Sequence, residues 1–143
     1  MLALTLQQPW ATAVAEFGKD IENRSWRPPS RVIGQRIAIH AGRVFDEPGA
    51  RWILERNLAP GCTIGQLWMA PRGYIVATAI VLSVRVDSGS PWFHGPVGWE
   101  LREVRRLSPP VLARGAQGLW RLSPADADRV LAAQLPLEGA LDG

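Results

Sequence analysis

Lysine is nearly missing from this chain: of sixteen basic residues fifteen are arginine, and Lys19 is the one lysine. Arginine is a fixed, bidentate cation, whereas a lysine can lower its pKa on burial and act as a base or nucleophile, so the lone exception draws attention. Cysteine is equally scarce. Cys62 alone excludes an intrachain disulfide, which fits a reducing compartment and leaves the fold to its core. It lies in the loop-like Pro60-Gly61-Cys62-Thr63, with no second thiol or histidine near it, and reads as structural. Two histidines and one cysteine, none at ligand spacing, exclude a zinc site, and no metal is expected. The glycines form neither a phosphate-binding loop nor a dinucleotide fingerprint, so no cofactor is expected. Long apolar runs are missing too. The longest, Tyr74 to Leu82, is interrupted by Thr78 and falls short of the ~18 residues of a membrane span. The N-terminus lacks a basic flank and Gln7-Gln8-Pro9 cuts its apolar stretch, so no secretory signal is expected and the cytoplasm is the expected location.

What remains is an ordinary globular composition: 143 residues, 47% hydrophobic and 20% charged, with a net charge of +3. A chain of this length supports one core, and no repeat or linker divides it, so residues 1–143 read as a single domain. Leu2 to Leu6 reads as a first strand. After Pro9, Trp10, Ala13, Val14 and Phe17 mark one face of a helix closed by Gly18. Lys19 follows that helix, and an extended Asp20 to Trp26 would place Glu22, Arg24 and Trp26 on one face.

Further strands are predicted over Gln35 to His40, with Ile37 and Ile39 opposite Ala38 and His40, over Gly73 to Val86, Gly98 to Leu101 and Gln117 to Leu122. Pro109-Pro110 reads as a break between the last two. Helices are predicted over Arg51 to Asn57 and from about 124 to 135. In the latter, Ser123 is the N-cap, Val130, Leu131 and Leu135 dock on the sheet, and a short flexible tail follows. The expected fold is α+β, with a sheet closing into a small β-barrel and helices packed around it.

Lys19, Glu22 and Arg24 bring two cations and a carboxylate together at a helix-to-strand corner. Such a cluster is either a surface ion-pair network or the polar floor of a cleft that meets phosphates and a base edge. Seven tryptophans are a heavy load for one small domain, and Trp10, Trp52 and Trp120 fit a core. Trp92-Phe93-His94 follows the loop-like Asp87 to Pro91 and either stacks a base or folds back on the domain; Trp26 is equally ambiguous. His40, at a strand end, is a donor or acid near neutral pH, or a satisfied structural group. Arg102, Arg105 and Arg106 are interleaved with Glu100 and Glu103 and read as a solvated face.

Gly18-Lys19-Asp20-Ile21-Glu22-Asn23-Arg24 follows the K-x-x-E-x-R part of a G-x-K-x-x-E-x-R signature, with its glycine directly before the lysine, and is preceded by Leu6-Gln7-Gln8-Pro9-Trp10-Ala11. Ile39-His40-Ala41-Gly42, Gly98-Trp99 and Gln117-Gly118-Leu119-Trp120 follow at later positions. In combination these segments resemble the ASCH domain family, in the form of a small stand-alone bacterial member. The resemblance implies a PUA-like barrel related to modules that hold RNA or modified bases. It implies a cleft lined by the G-x-K-x-x-E-x-R motif and a candidate ligand-binding set of Gln8, Trp10, Lys19, Glu22, Arg24, Trp26, His40, Trp92, Phe93 and Trp99. RNA is the expected partner, with DNA or a modified nucleotide as alternatives.

A second function stays open. Some small ASCH proteins are similar at the motif and hydrolyse the amide of N4-acylated cytidines, and others are ribonucleases; Lys19 and Glu22 would then be catalytic. In that amidohydrolase pattern a threonine accompanies the motif lysine where Glu22 stands here. A carboxylate can serve as a general base for water but not as a hydroxyl nucleophile. A third reading, a protein-interaction domain, follows from ASCH domains in larger coactivator assemblies.

Overall fold

The computed structural model describes residues 1–137; the tail expected beyond the last helix lies largely outside them. In chain order the elements are β1 (Leu2–Gln8), α1 (Trp10–Glu16), β2 (Ile21–Arg24), a 3-10 turn (Ser30–Val32), β3 (Arg36–Phe45), α2 (Glu47–Glu55), α3 (Ile64–Trp68), β4 (Tyr74–Arg85), β5 (Val97–Leu112), β6 (Leu119–Arg121) and α4 (Pro124–Ala133). The strands form one six-stranded sheet in the order β2-β5-β4-β3-β1-β6, with β1 parallel to β3 and every other pair antiparallel. The parallel pair requires a long crossover, and α1 with β2 supplies it.

Strand alternation sorts the core into two faces. Leu4, Leu6, Ile37 and Ile39 pack with Ala11 and Val14 of α1, Val81, Trp99 and Leu101. On the opposite face Ala3, Ala38, Ile75, Leu107 and Val111 pack under Val130 of α4. This α+β sheet is not a closed ladder, because β2 and β6 are its two edges. It nevertheless curls until those edges approach: Arg24 at the end of β2 donates to the Thr5 carbonyl of β1 at 2.7 Å, and a Cβ on Gly118, just before β6, would stand 3.8 Å from Trp26.

Several predicted boundaries move. Strand β5 runs through Pro109-Pro110, which the sequence reads as a break. The register shifts between Ile75 and Ala77, so that the two prolines bulge out of the β4 ladder, and β2 pairs with β5 only over Val97 to Glu100. Prolines are tolerated in such an unpaired margin because no ladder donor is lost. Helix α2 begins at Glu47, four residues before the predicted start, because Asp46 caps it by accepting from the Gly49 N–H at 2.9 Å. Helix α3 was not predicted; Thr63 and Gln66 form its capping box. Helix α4 stops at Ala133, and Leu131 is half exposed rather than docked. No helix among the described residues is long and apolar enough to cross a membrane.

Candidate nucleic-acid interface

Gly18 takes a left-handed φ of +73° after α1, which turns the chain back and buries Lys19 instead of releasing it to solvent. The ammonium donates to the Ile21 carbonyl and lies 3.2 Å from Glu22 Oε1, with the Trp10 ring centroid 5.6 Å away. Glu22 Oε2 stands 3.1 Å from Arg24 Nε. One carboxylate is thus divided between two cations, and both Lys19 and Glu22 are over nine-tenths buried. Burial pushes the Lys19 pKa below its ordinary value of 10.5; the charge of Glu22 and its hydrogen bond oppose that shift, Asp20 opposes it more weakly, and Arg24 adds to it.

This cluster walls a cavity of about 340 Å3, within the usual size of a small-molecule site, bounded also by Thr5 to Gln7, Trp10, Asn23 and His94. Trp10 is fixed there by its indole N–H, which donates to Asp46 Oδ2 at 2.8 Å. His94 was named in the sequence but not placed among the site residues. It reaches the cavity because Asn23 accepts from the His94 and Gly95 N–H groups at 2.8 and 3.1 Å and donates to the Trp92 carbonyl at 2.9 Å. The His94 ring meets Trp52 edge-on at 4.5 Å. Its pKa is lowered, first by burial and then by Lys19 and Arg56.

The cavity adjoins a groove of about 1530 Å3, with Thr5, Leu6, Gln7 and Arg24 as the common wall. Trp26 and His40 face this groove, as do Arg43, Arg72 and Arg114, three arginines absent from the predicted site. No signal in the sequence joins them, since they come from β3, the turn before β4 and the segment after β5.

His40 is buried and engaged on both sides. Its Nε2 is 2.8 Å from the Ala113 carbonyl and must carry the proton; Nδ1 then accepts from Thr5 Oγ1 at 3.2 Å, which itself accepts from the Trp120 indole at 2.9 Å. Burial lowers the His40 pKa and so favours the neutral ring, in which Nδ1 is the acceptor. Gly115 covers the ring so closely that a Cβ there would stand 2.3 Å from it.

Four predicted ligand residues instead support the site from behind. Gln8 is fully buried: its amide donates to Thr12 Oγ1 and the Pro71 carbonyl and accepts from the Thr12 N–H. Trp99 is a core side chain whose indole donates to the Trp26 carbonyl at 3.1 Å. Trp92 packs with Ile21, Ile53 and Trp52. Phe93 lies on Gly98, where a Cβ would come within 3.0 Å of it. The loop folds its own aromatics back because α1, α2 and β2 leave an apolar hollow there. Trp26, by contrast, is 38% exposed and stands edge-on to Trp99 at 4.9 Å. Among the described residues no group of histidine, cysteine and carboxylate side chains is arranged to hold a metal.

A family model for the ASCH domain matches residues 4–110. Crystal structures of ASCH from Zymomonas mobilis share the fold. The unmodified protein aligns at 15% identity and a TM-score of 0.54, covering 96% of this chain and 97% of that one. A serine-to-alanine mutant gives 14%, 0.55, 94% and 96%, and a tyrosine-to-phenylalanine mutant 14%, 0.57, 94% and 98%. No curated protein matches the chain.

Proposed function

Because the chain belongs to the ASCH domain family, we propose that it binds RNA by accepting one nucleoside, ordinary or modified, in the cavity walled by Lys19, Glu22 and Arg24. The observation that carries this reading is the divided carboxylate of Glu22. A carboxylate offers about four acceptor positions; Glu22 stands within ion-pair distance of Lys19 and Arg24 but takes no hydrogen bond from Arg24 Nε, so acceptor positions are left for a base amino group. Trp10 and His94 supply aromatic walls for a flat base, and Arg24, one-fifth exposed, can reach a base or phosphate oxygen. Lys19 holds Glu22 in place, since two of its three donors already meet Ile21 and Glu22.

Glu22→Gln removes a charge-assisted hydrogen bond worth ~1.5–3 kcal/mol, an affinity loss of roughly ten- to hundred-fold for RNA read by equilibrium binding. His94→Ala, at an exposed wall residue outside the ion pairs, checks the same cavity without disturbing the buried charge. Unchanged affinity in both variants overturns the reading.

A hydrolase reading draws on one observation, a lysine whose basicity burial lowers beside a carboxylate. Glu22 would take a proton from water as the water oxygen attacks the acyl carbon, with Lys19 opposite the developing oxyanion; collapse of the tetrahedral intermediate then breaks the amide C–N bond as Glu22 passes that proton to the leaving amine, releasing the carboxylic acid and the free base amino group. Mass spectrometry of cellular RNA nucleosides incubated with the protein separates the two: a nucleoside retained at its original mass supports binding, and one converted in mass supports hydrolysis.

A further inference from the structure

We propose that the groove beside the cavity is a track for phosphodiester groups, so that the ligand is a single strand longer than one nucleotide. The inference rests on the cavity reading above and extends it. A groove of about 1530 Å3 beside a cavity of about 340 Å3 leaves most of the concave surface unfilled by one inserted nucleoside. Four arginines and a single carboxylate line it. Arg43, Arg72 and Arg114 line it, and among the described residues none of the three takes part in a salt bridge. The one carboxylate on its walls, Asp126, is paired with Arg129.

Arg72 is also held in place before any ligand arrives. Its Nη2 donates to the Trp68 carbonyl at 2.7 Å, and its guanidinium lies 4.1 Å from the Trp68 ring centroid and 5.5 Å from that of Phe45. A guanidinium fixed on aromatic faces loses little freedom on meeting a phosphate and keeps its fork of donors. At the common wall Arg24 sits 5.9 Å from the ring of exposed Trp26, which offers a stacking face to a base flanking the inserted one. An unpaired cationic track beside an aromatic face suits a single strand, because phosphates recur along it and every base has a face to stack.

The test compares a labelled mononucleotide with mixed-sequence oligoribonucleotides of about ten nucleotides, bound to the full chain across a salt series. The longer strand is expected to bind more tightly, and its log affinity to fall with log salt. Arg43→Gln, Arg72→Gln and Arg114→Gln should each reduce that gain several-fold and lower the salt slope by about 0.7. Arg43 and Arg114 are exposed, so their variants stand even if Arg72→Gln loosens α3. Arg102→Gln, outside the groove, should keep the whole gain. A deoxy strand of the same sequence shares the phosphates and should show the same arginine dependence.

Equal affinity for mononucleotide and long strand overturns the track and leaves the cavity reading standing. Arginine-dependent binding of the long strand with no mononucleotide binding does the reverse. Binding of neither overturns both. Polyglutamate competing as well as RNA would show a generic anion or protein surface and overturn the track.

Discussion

The cavity and the groove beside it carry charge in opposite ways. In the cavity Lys19 and Glu22 are withdrawn from water and neutralise each other, with Arg24 as the third member. In the groove Arg43 and Arg114 are exposed, and these two and Arg72 are without an ionic partner among the described residues. The difference follows from desolvation. A buried charge without a partner costs several kcal/mol, so the cavity had to be assembled as a closed set, whereas an exposed arginine remains hydrated and free to exchange water for phosphate. The charges of the cavity are therefore tied to stability, whereas those of the groove are not, whatever either region binds.

The largest expected effect tests that division directly. Lys19→Ala leaves Glu22 buried beside Arg24 only and should cost about 3–5 kcal/mol of stability, seen as a lower denaturant midpoint. Arg43→Gln should stay within about 0.5 kcal/mol, as surface changes do. Equal losses in the two variants would break the distinction between the regions.

A second effect is smaller and depends on pH. Burial lowers the Lys19 pKa in the folded chain below 10.5, so between the folded value and 10.5 the unfolded chain binds more protons. Stability then rises with pH across that window, and the contribution is lost as pH falls through the folded value. Lys19→Met should flatten the alkaline rise in a series of urea midpoints, while the groove arginines, which do not titrate there, should leave it intact. A rise that survives Lys19→Met would place its origin elsewhere.

How much of this was legible in the sequence follows the same line. Local pattern revealed α1, the corner at Gly18-Lys19, the Ile37/Ala38 alternation of β3 and the long apolar β4, because each depends on neighbours within a few residues. The K-x-x-E-x-R spacing brought Lys19, Glu22 and Arg24 to one place for the same reason. The far wall of the cavity was hidden, since His94 is held by Asn23 about seventy residues earlier in the chain. The groove was hidden more deeply, because its arginines share no segment and look like any others among fifteen. Trp92 and Phe93 stay open between stacking and folding back in the sequence, because the hollow that takes their rings is built by residues far from them in sequence. Pro109-Pro110 reads as a break in the sequence because nothing local shows that β5 bulges out of its β4 ladder there, beyond the reach of β2.

The smallest expected effect separates arginines that look alike in sequence. Arg102 and Arg106 lie on β5 in the most visibly basic run of the chain, yet each is paired: Arg102 with Glu100 at 2.5 Å and Asp20 at 3.9 Å, Arg106 with Glu16 at 3.1 Å. Their side chains are about half exposed, so each pair contributes at most ~1 kcal/mol to stability and has its charge already answered by a carboxylate. Arg106→Gln should therefore lower the denaturant midpoint slightly or not at all and leave the salt slope for RNA unchanged. If it lowered that slope as much as Arg114→Gln, pairing would not be what distinguishes the two sets, and the strand would have to cross the outer face of β5 as well as the groove. Among the arginines on the walls of the groove, Arg24 is answered by Glu22, whereas Arg43, Arg72 and Arg114 have no ionic partner among the described residues, and the proposed track rests on those three.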